Sequence, residues 1–145
     1  MQIDNYAYNL AFYRYPNIEA IVHKSFAHKF PEFADQITDM MIRLDCLPNR
    51  KGIPDHVDNF NGDLEGIFKG ILDLCNGYRR EIIKTIESAE LNEDYEAKIG
   101  MEEFLKSFEP YRKQADVWYE YAKRYHDDYK SFDVHFDDIT TFIQK

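Results

Sequence analysis

Three observations predict an all-α fold for this chain: a single compact bundle of about five to seven helices spanning residues 1–145. Apolar side chains recur at three- and four-residue spacings along nearly the whole chain, the period of an amphipathic helix. Prolines at positions 16, 31 and 110 stand where such stripes begin, and proline is favoured in the first helical turn. Aromatic residues make up 16% of the sequence, ample material for one core. A chain of this length buries about two-thirds of its unfolded surface.

The N-terminal tract is ambiguous. Tyr6, Tyr8, Leu10 and Phe12 alternate as in a strand, while Ile3, Tyr6, Ala7 and Leu10 fit one helical face; an extended tract therefore stands beside a helical one. After Pro16, with Asn17 as candidate N-cap, Ile18, Ile21, Val22 and Phe26 predict a short amphipathic helix. Pro31 opens the next, whose face is Phe33, Ile37, Met40, Met41, Leu44 and Leu47. Residues 48–62 hold Pro48, Gly52, Pro54 and Gly62 and read as an irregular connection between two helical halves sharing one core. The longest stripe follows, from Leu64, Ile67, Phe68, Ile71 and Cys75 to Tyr78, Ile82 and Ile86, with Asn61 or Asp63 as its cap. Tyr95, Ile99, Phe104, Leu105 and Phe108 predict a helix interrupted near Gly100 or ended before Pro110. Pro110 then opens another through Tyr111, Ala115, Trp118, Ala122, Tyr125 and Tyr129, and a short last helix carries Ile139, Phe142 and Ile143.

The formal net charge is −9, concentrated in the latter two-thirds: eleven acids against six Lys/Arg in residues 51–100, and ten against seven in residues 101–145. Direct binding to nucleic acid or to an anionic membrane surface needs a basic face, so both are disfavoured and a basic protein partner is the better match. No run of roughly 18 apolar residues predicts a transmembrane helix. The first residues lack a basic leader and an apolar core, so no cleaved signal is expected. Cys46 and Cys75 form no CxxC pair, which excludes a disulfide scaffold, gives no expectation of a zinc or other metal site and points to a reducing cytoplasm.

Familiar chemistry is scarce. Placing Gly62 at position 6 of a calcium loop puts Asn59 and Asn61 where oxygens belong, but Val57 and Phe68 fall where carboxylates are required. Gly62, Gly66 and Gly70 recur every four residues and read as close helix packing, each glycine costing about 1 kcal/mol against alanine. No phosphate-cradling glycine pattern occurs. Ser25, Ser88 and Ser131 lie in no nucleophile motif. No cofactor is expected.

His126-Asp127-Asp128, with His135 and Asp137-Asp138, is the best candidate for metal or acid–base chemistry. Metal-dependent phosphohydrolases of the HD type carry such a dipeptide on a helix with further histidines upstream, and His23, His28 and His56 supply the inventory here. His23 and His28 are five residues apart and are expected to diverge on an α-helix. The plainer reading of the tract is a solvated acidic face.

Residues 111–138 hold the only Trp, five Tyr, two Phe and six Asp, without a glycine. Tyr111, Trp118, Tyr125 and Tyr129 fit a core spacing, but Tyr119 and Tyr121 flank Trp118 and cannot all share its face. Aromatic area beside carboxylates fits a binding hot spot. The expected partner-binding residues are Trp118, Tyr121, Tyr125, Asp127, Asp128, Asp137 and Asp138. The function these features suggest is an acidic inhibitor, of the class of immunity proteins that neutralise a basic, nuclease-like bacterial toxin. The alternatives are a helical metal-dependent phosphohydrolase using His126 and Asp127, and a structural subunit packing on its own copies.

Overall fold

The computed structural model describes residues 2–12, 14–44 and 63–144. Among them the chain forms α1 (Gln2–Phe12), α2 (Pro16–Ala20), a π-helical segment (Ile21–Ala27), α3 (Lys29–Arg43), α4 (Leu64–Leu91), α5 (Tyr95–Arg124) and α6 (Tyr129–Ile139). No strand occurs among the described residues. The irregular connection at 48–62, Val57 to Gly62 of the calcium-like loop, Cys46 and His56 lie outside them, while Phe68 at the end of that loop is buried in α4.

The N-terminal tract is helical, not extended. Ile3, Tyr6, Ala7 and Leu10 are buried while Tyr8 faces solvent; burial on one side at this spacing is met by a helix and not by a strand. Gly70 explains part of the fit: a Cβ there would collide with the Tyr6 phenol, so its absence lets α1 settle on α4.

Pro16, rather than Asn17, opens α2, and Tyr15 at the cap position gives no side-chain hydrogen bond. The cap comes from the far end of the chain. Asp133 of α6 accepts the Ile18 N–H at 3.0 Å, satisfying one orphan donor of the first turn, and the Asn17 side-chain amide at 3.2 Å. Beyond α2 the helix widens, and the His28 N–H donates to the His23 carbonyl at 3.3 Å. That five-residue bond corrects the expectation for the two histidines: instead of diverging, their rings meet edge to face with centroids 4.6 Å apart.

α4 and α5 form a long antiparallel hairpin. The predicted stripe of α4 is buried from Leu64 to Cys75 and again at Ile82, with Tyr78 partly open. Asp63 occupies the cap position of α4 without a capping bond; its carboxylate accepts from the Tyr129 hydroxyl at 3.1 Å.

α5 runs unbroken for 30 residues, with Pro110 inside it. The sequence predicted two helices there, because an internal proline costs about 3 kcal/mol. Burial offsets that cost: Phe104, Phe108 and Ala115 lie on the core side of both halves, and each large apolar side chain contributes about 1.5–3 kcal/mol. Glu109 also ties Arg112 of α5, at 2.7 Å, and Arg79 of α4, at 3.3 Å, across the same level. Gly100 does not interrupt the helix either; it makes room for the Met40 side chain.

α5 ends at Arg124, so Tyr129 belongs to α6, and the last helix lies earlier than expected. Its buried residues are Phe132, Asp133 and Phe136. Asp128 caps it by accepting the Ser131 N–H at 3.1 Å.

Candidate functional site

The aromatics of residues 111–138 build the core. Trp118 is fully buried, stacked on Phe136 at 5.0 Å and within 5.1 Å and 5.6 Å of the Phe26 and Phe68 rings. Its indole N–H donates to the Thr140 hydroxyl at 2.9 Å, which donates in turn to the Phe136 carbonyl at 2.8 Å. Buried Gln114 completes the joint, giving to the Ile139 carbonyl and receiving the Phe142 N–H. Trp118 therefore cannot act as the surface anchor expected of it.

Tyr121 and Tyr125 are half-buried. Tyr125 lies parallel to Phe132 with centroids 5.7 Å apart, which holds one of its faces inside the fold. The Arg124 guanidinium covers the Tyr121 ring at 4.9 Å, and the Lys123 ammonium covers Tyr119 at 4.6 Å. These cations face a basic partner with like charge, so the tyrosines of this corner make poor anchors for one.

Asp127, Asp128, Asp137 and Asp138 are exposed, as expected. Asp127 sits 2.9 Å from His126 and Asp138 lies 3.8 Å from His135. The Ser131 hydroxyl and N–H on Asp128 hold its carboxyl below the usual range. The phosphohydrolase reading gathers no ligand set here. His126 and Asp127 face solvent and join no group of three metal-ligating side chains among the described residues. Burial pushes the Cys75 thiol up to about 12, leaving no thiolate for nucleophilic work at neutral pH.

The turn between α4 and α5 has the opposite character. Leu91, Tyr95 and Ile99 are 86%, 59% and 57% exposed, although the helical period had placed Tyr95 and Ile99 on a core face. Residues 87–96 carry Glu87, Glu90, Glu93, Asp94 and Glu96 with no Lys or Arg, and all five are exposed.

The turn itself is tightly built. Asp94 N–H donates to the Ala89 carbonyl at 2.8 Å and Glu93 N–H to that of Glu90 at 3.1 Å, the paired bonds of a Schellman helix end. Glu93 takes the left-handed position, φ 56°, where glycine is usual. The Asp94 carboxylate then accepts the Ala97 N–H at 3.2 Å, starting α5. Asp94 and Ala97 also line an apolar cleft of about 430 Å³ that continues over Met40, Met41, Ile82 and Met101.

Sequence reasoning passed over this tip because its apolar residues matched a helical stripe. The cation-free run of acids at 87–96 was the signal in the chain that marked it. In comparisons with protein-family models, curated proteins and solved structures, nothing matches this chain.

Proposed function

We propose that the protein binds a basic protein partner through the α4–α5 tip, in the manner of an immunity protein that neutralises a nuclease-like toxin. One observation carries this reading: Leu91, Tyr95 and Ile99 stand in solvent amid five exposed carboxylates. Apolar anchors inside a charged rim match the anatomy of a hot spot. The carboxylates supply complementarity to a basic cleft and steer fast association. Asp127 and Asp128 stand beyond the opposite end of the 30-residue α5, about 45 Å from the tip, and serve neither as anchors nor as part of its rim. The net charge of −9 favours a basic protein over nucleic acid as the ligand. Among the described residues no helix is long and apolar enough to cross a membrane.

The test compares wild type with the Leu91→Ala/Tyr95→Ala/Ile99→Ala variant for capture of basic proteins from the source lysate at low salt. The captured protein is then identified and expressed with and without this chain. Wild type is expected to retain one basic protein that the variant loses, and to suppress that protein's toxicity or activity. Equal capture by the variant removes the tip as the binding surface. A captured protein whose activity is unchanged removes inhibition as the function.

A further inference from the structure

We infer that Asp4, His23 and His28 form a binding site for one divalent transition-metal ion of the zinc, cobalt and nickel class. One potential ligand atom from each side chain lies within 4.8 Å of the others. They come from two parts of the chain: Asp4 from α1, His23 from the π-helical segment and His28 from the residue that closes it.

The π-helical segment makes this meeting possible. On an α-helix, residues five apart point about 140° from each other. The wider turn over Ile21–Ala27 instead brings the His23 and His28 rings to 4.6 Å. Such segments are rare and concentrate at functional sites. This one gives the two imidazoles a common direction, and α1 lays a carboxylate against it.

The surroundings of the histidines suit a metal. The Glu19 carboxylate lies 3.5 Å from His23 Nδ1, the partner that orients a ligating imidazole and leaves its other nitrogen for the ion. Two imidazoles and one carboxylate are a donor set for borderline transition ions, whereas calcium and magnesium take oxygen ligands. Tetrahedral bonds of about 2.0–2.2 Å put donors on one ion about 3.5 Å apart. From a spread of at most 4.8 Å, the cluster closes by up to about 1.3 Å on binding, a shift within reach of side-chain rotation. Asp4 and His23 are half-buried and His28 is exposed, so three protein ligands leave an open coordination position for water. The ion would clip α1 to the π-helical segment and so stabilise the folded chain.

The probe is the metal alone, on full-length protein without a histidine tag and cleared by chelator. Co²⁺ is titrated by its visible absorption, Zn²⁺ by calorimetry, and thermal unfolding is followed with and without Zn²⁺. Wild type is expected to bind one equivalent and to gain thermal stability with Zn²⁺. Glu19→Gln is expected to weaken binding about tenfold, the loss typical of an outer-shell partner. His28→Ala is expected to weaken it by more than that, and His126→Ala to leave it unchanged. Asp4→Asn, nearly isosteric, gives the same loss as His28→Ala and serves if that variant does not fold. Sub-stoichiometric binding by wild type overturns the site, as does full affinity in both His28→Ala and Asp4→Asn. Affinity lost in His126→Ala and kept in His28→Ala places the metal elsewhere and overturns it equally.

Discussion

Between residues 111 and 138 the large rings turn inward, and most carboxylates already have partners within the fold. Asp133 caps α2 from a distance, Asp128 caps α6, and Asp127 lies against His126. Between residues 87 and 99 the arrangement reverses. Leu91, Tyr95 and Ile99 stand in water, and the Glu87, Glu93 and Glu96 side chains have no hydrogen-bond or ion-pair partner among the described residues. The Glu90–Lys98 pair at 3.7 Å is the one cation contact of that acidic run among the described residues. The two regions share a chemistry of aromatic, aliphatic and acidic side chains. What separates them is whether another element covers them. The π-helical segment and α6 close over the C-terminal half of α5 through Phe26 and Phe136, whereas Tyr95 and Ile99 in its first turns stay exposed.

Stability measurements can break this contrast. Trp118→Ala is expected to destabilise the protein by about 3–5 kcal/mol, read by urea unfolding. Leu91→Ala, Tyr95→Ala and Ile99→Ala should each stay within about 0.5 kcal/mol of wild type, as exposed substitutions do. Comparable losses at the two regions would dissolve the distinction.

Next in size, Asp133→Ala leaves the Ile18 N–H without its acceptor and is expected to cost about 1–3 kcal/mol. Asp127→Ala, in the same tract but exposed, should be close to neutral. Glu93→Gly releases the left-handed residue of the tip and is expected to stabilise the protein by up to about 1 kcal/mol, seen as a higher Tm. A lower Tm would mean that the turn draws stability from the Glu93 side chain.

The smallest effect concerns pH. The Asp128 carboxyl is lowered in the folded state by its bonds to Ser131. Its contribution is therefore present above the unfolded carboxylate value of about 3.9 and lost as pH falls through the folded value. Acid unfolding below about pH 4 should be shallower in Asp128→Asn than in wild type. Identical acid limbs would show that this cap carries no linkage.

The helical class and the stripe from Leu64 to Cys75 were legible because burial on one side imposes a period that the chain displays directly. Pro110 misled because its local cost is fixed by chemistry, while the compensating contacts with α4 depend on an alignment no local pattern reveals. The π-helical segment left no trace, since one wider turn shifts the face without changing which residues are apolar. The candidate surface was missed for a related reason. Periodicity reports that Tyr95 and Ile99 could share a buried face, but not that anything reaches them. Composition fared no better at the corner: tyrosine, tryptophan and aspartate read alike whether they meet a partner or one another.

Trp118 is the only tryptophan in the chain, so native fluorescence reports on it alone. Its emission and acrylamide quenching, compared between native and urea-unfolded protein, test directly whether the aromatic tract is interior and the binding surface therefore lies elsewhere. The structure predicts blue-shifted native emission that acrylamide barely quenches, and a red shift with full quenching on unfolding. Native emission already red-shifted and freely quenched would contradict it and return Trp118 to the surface.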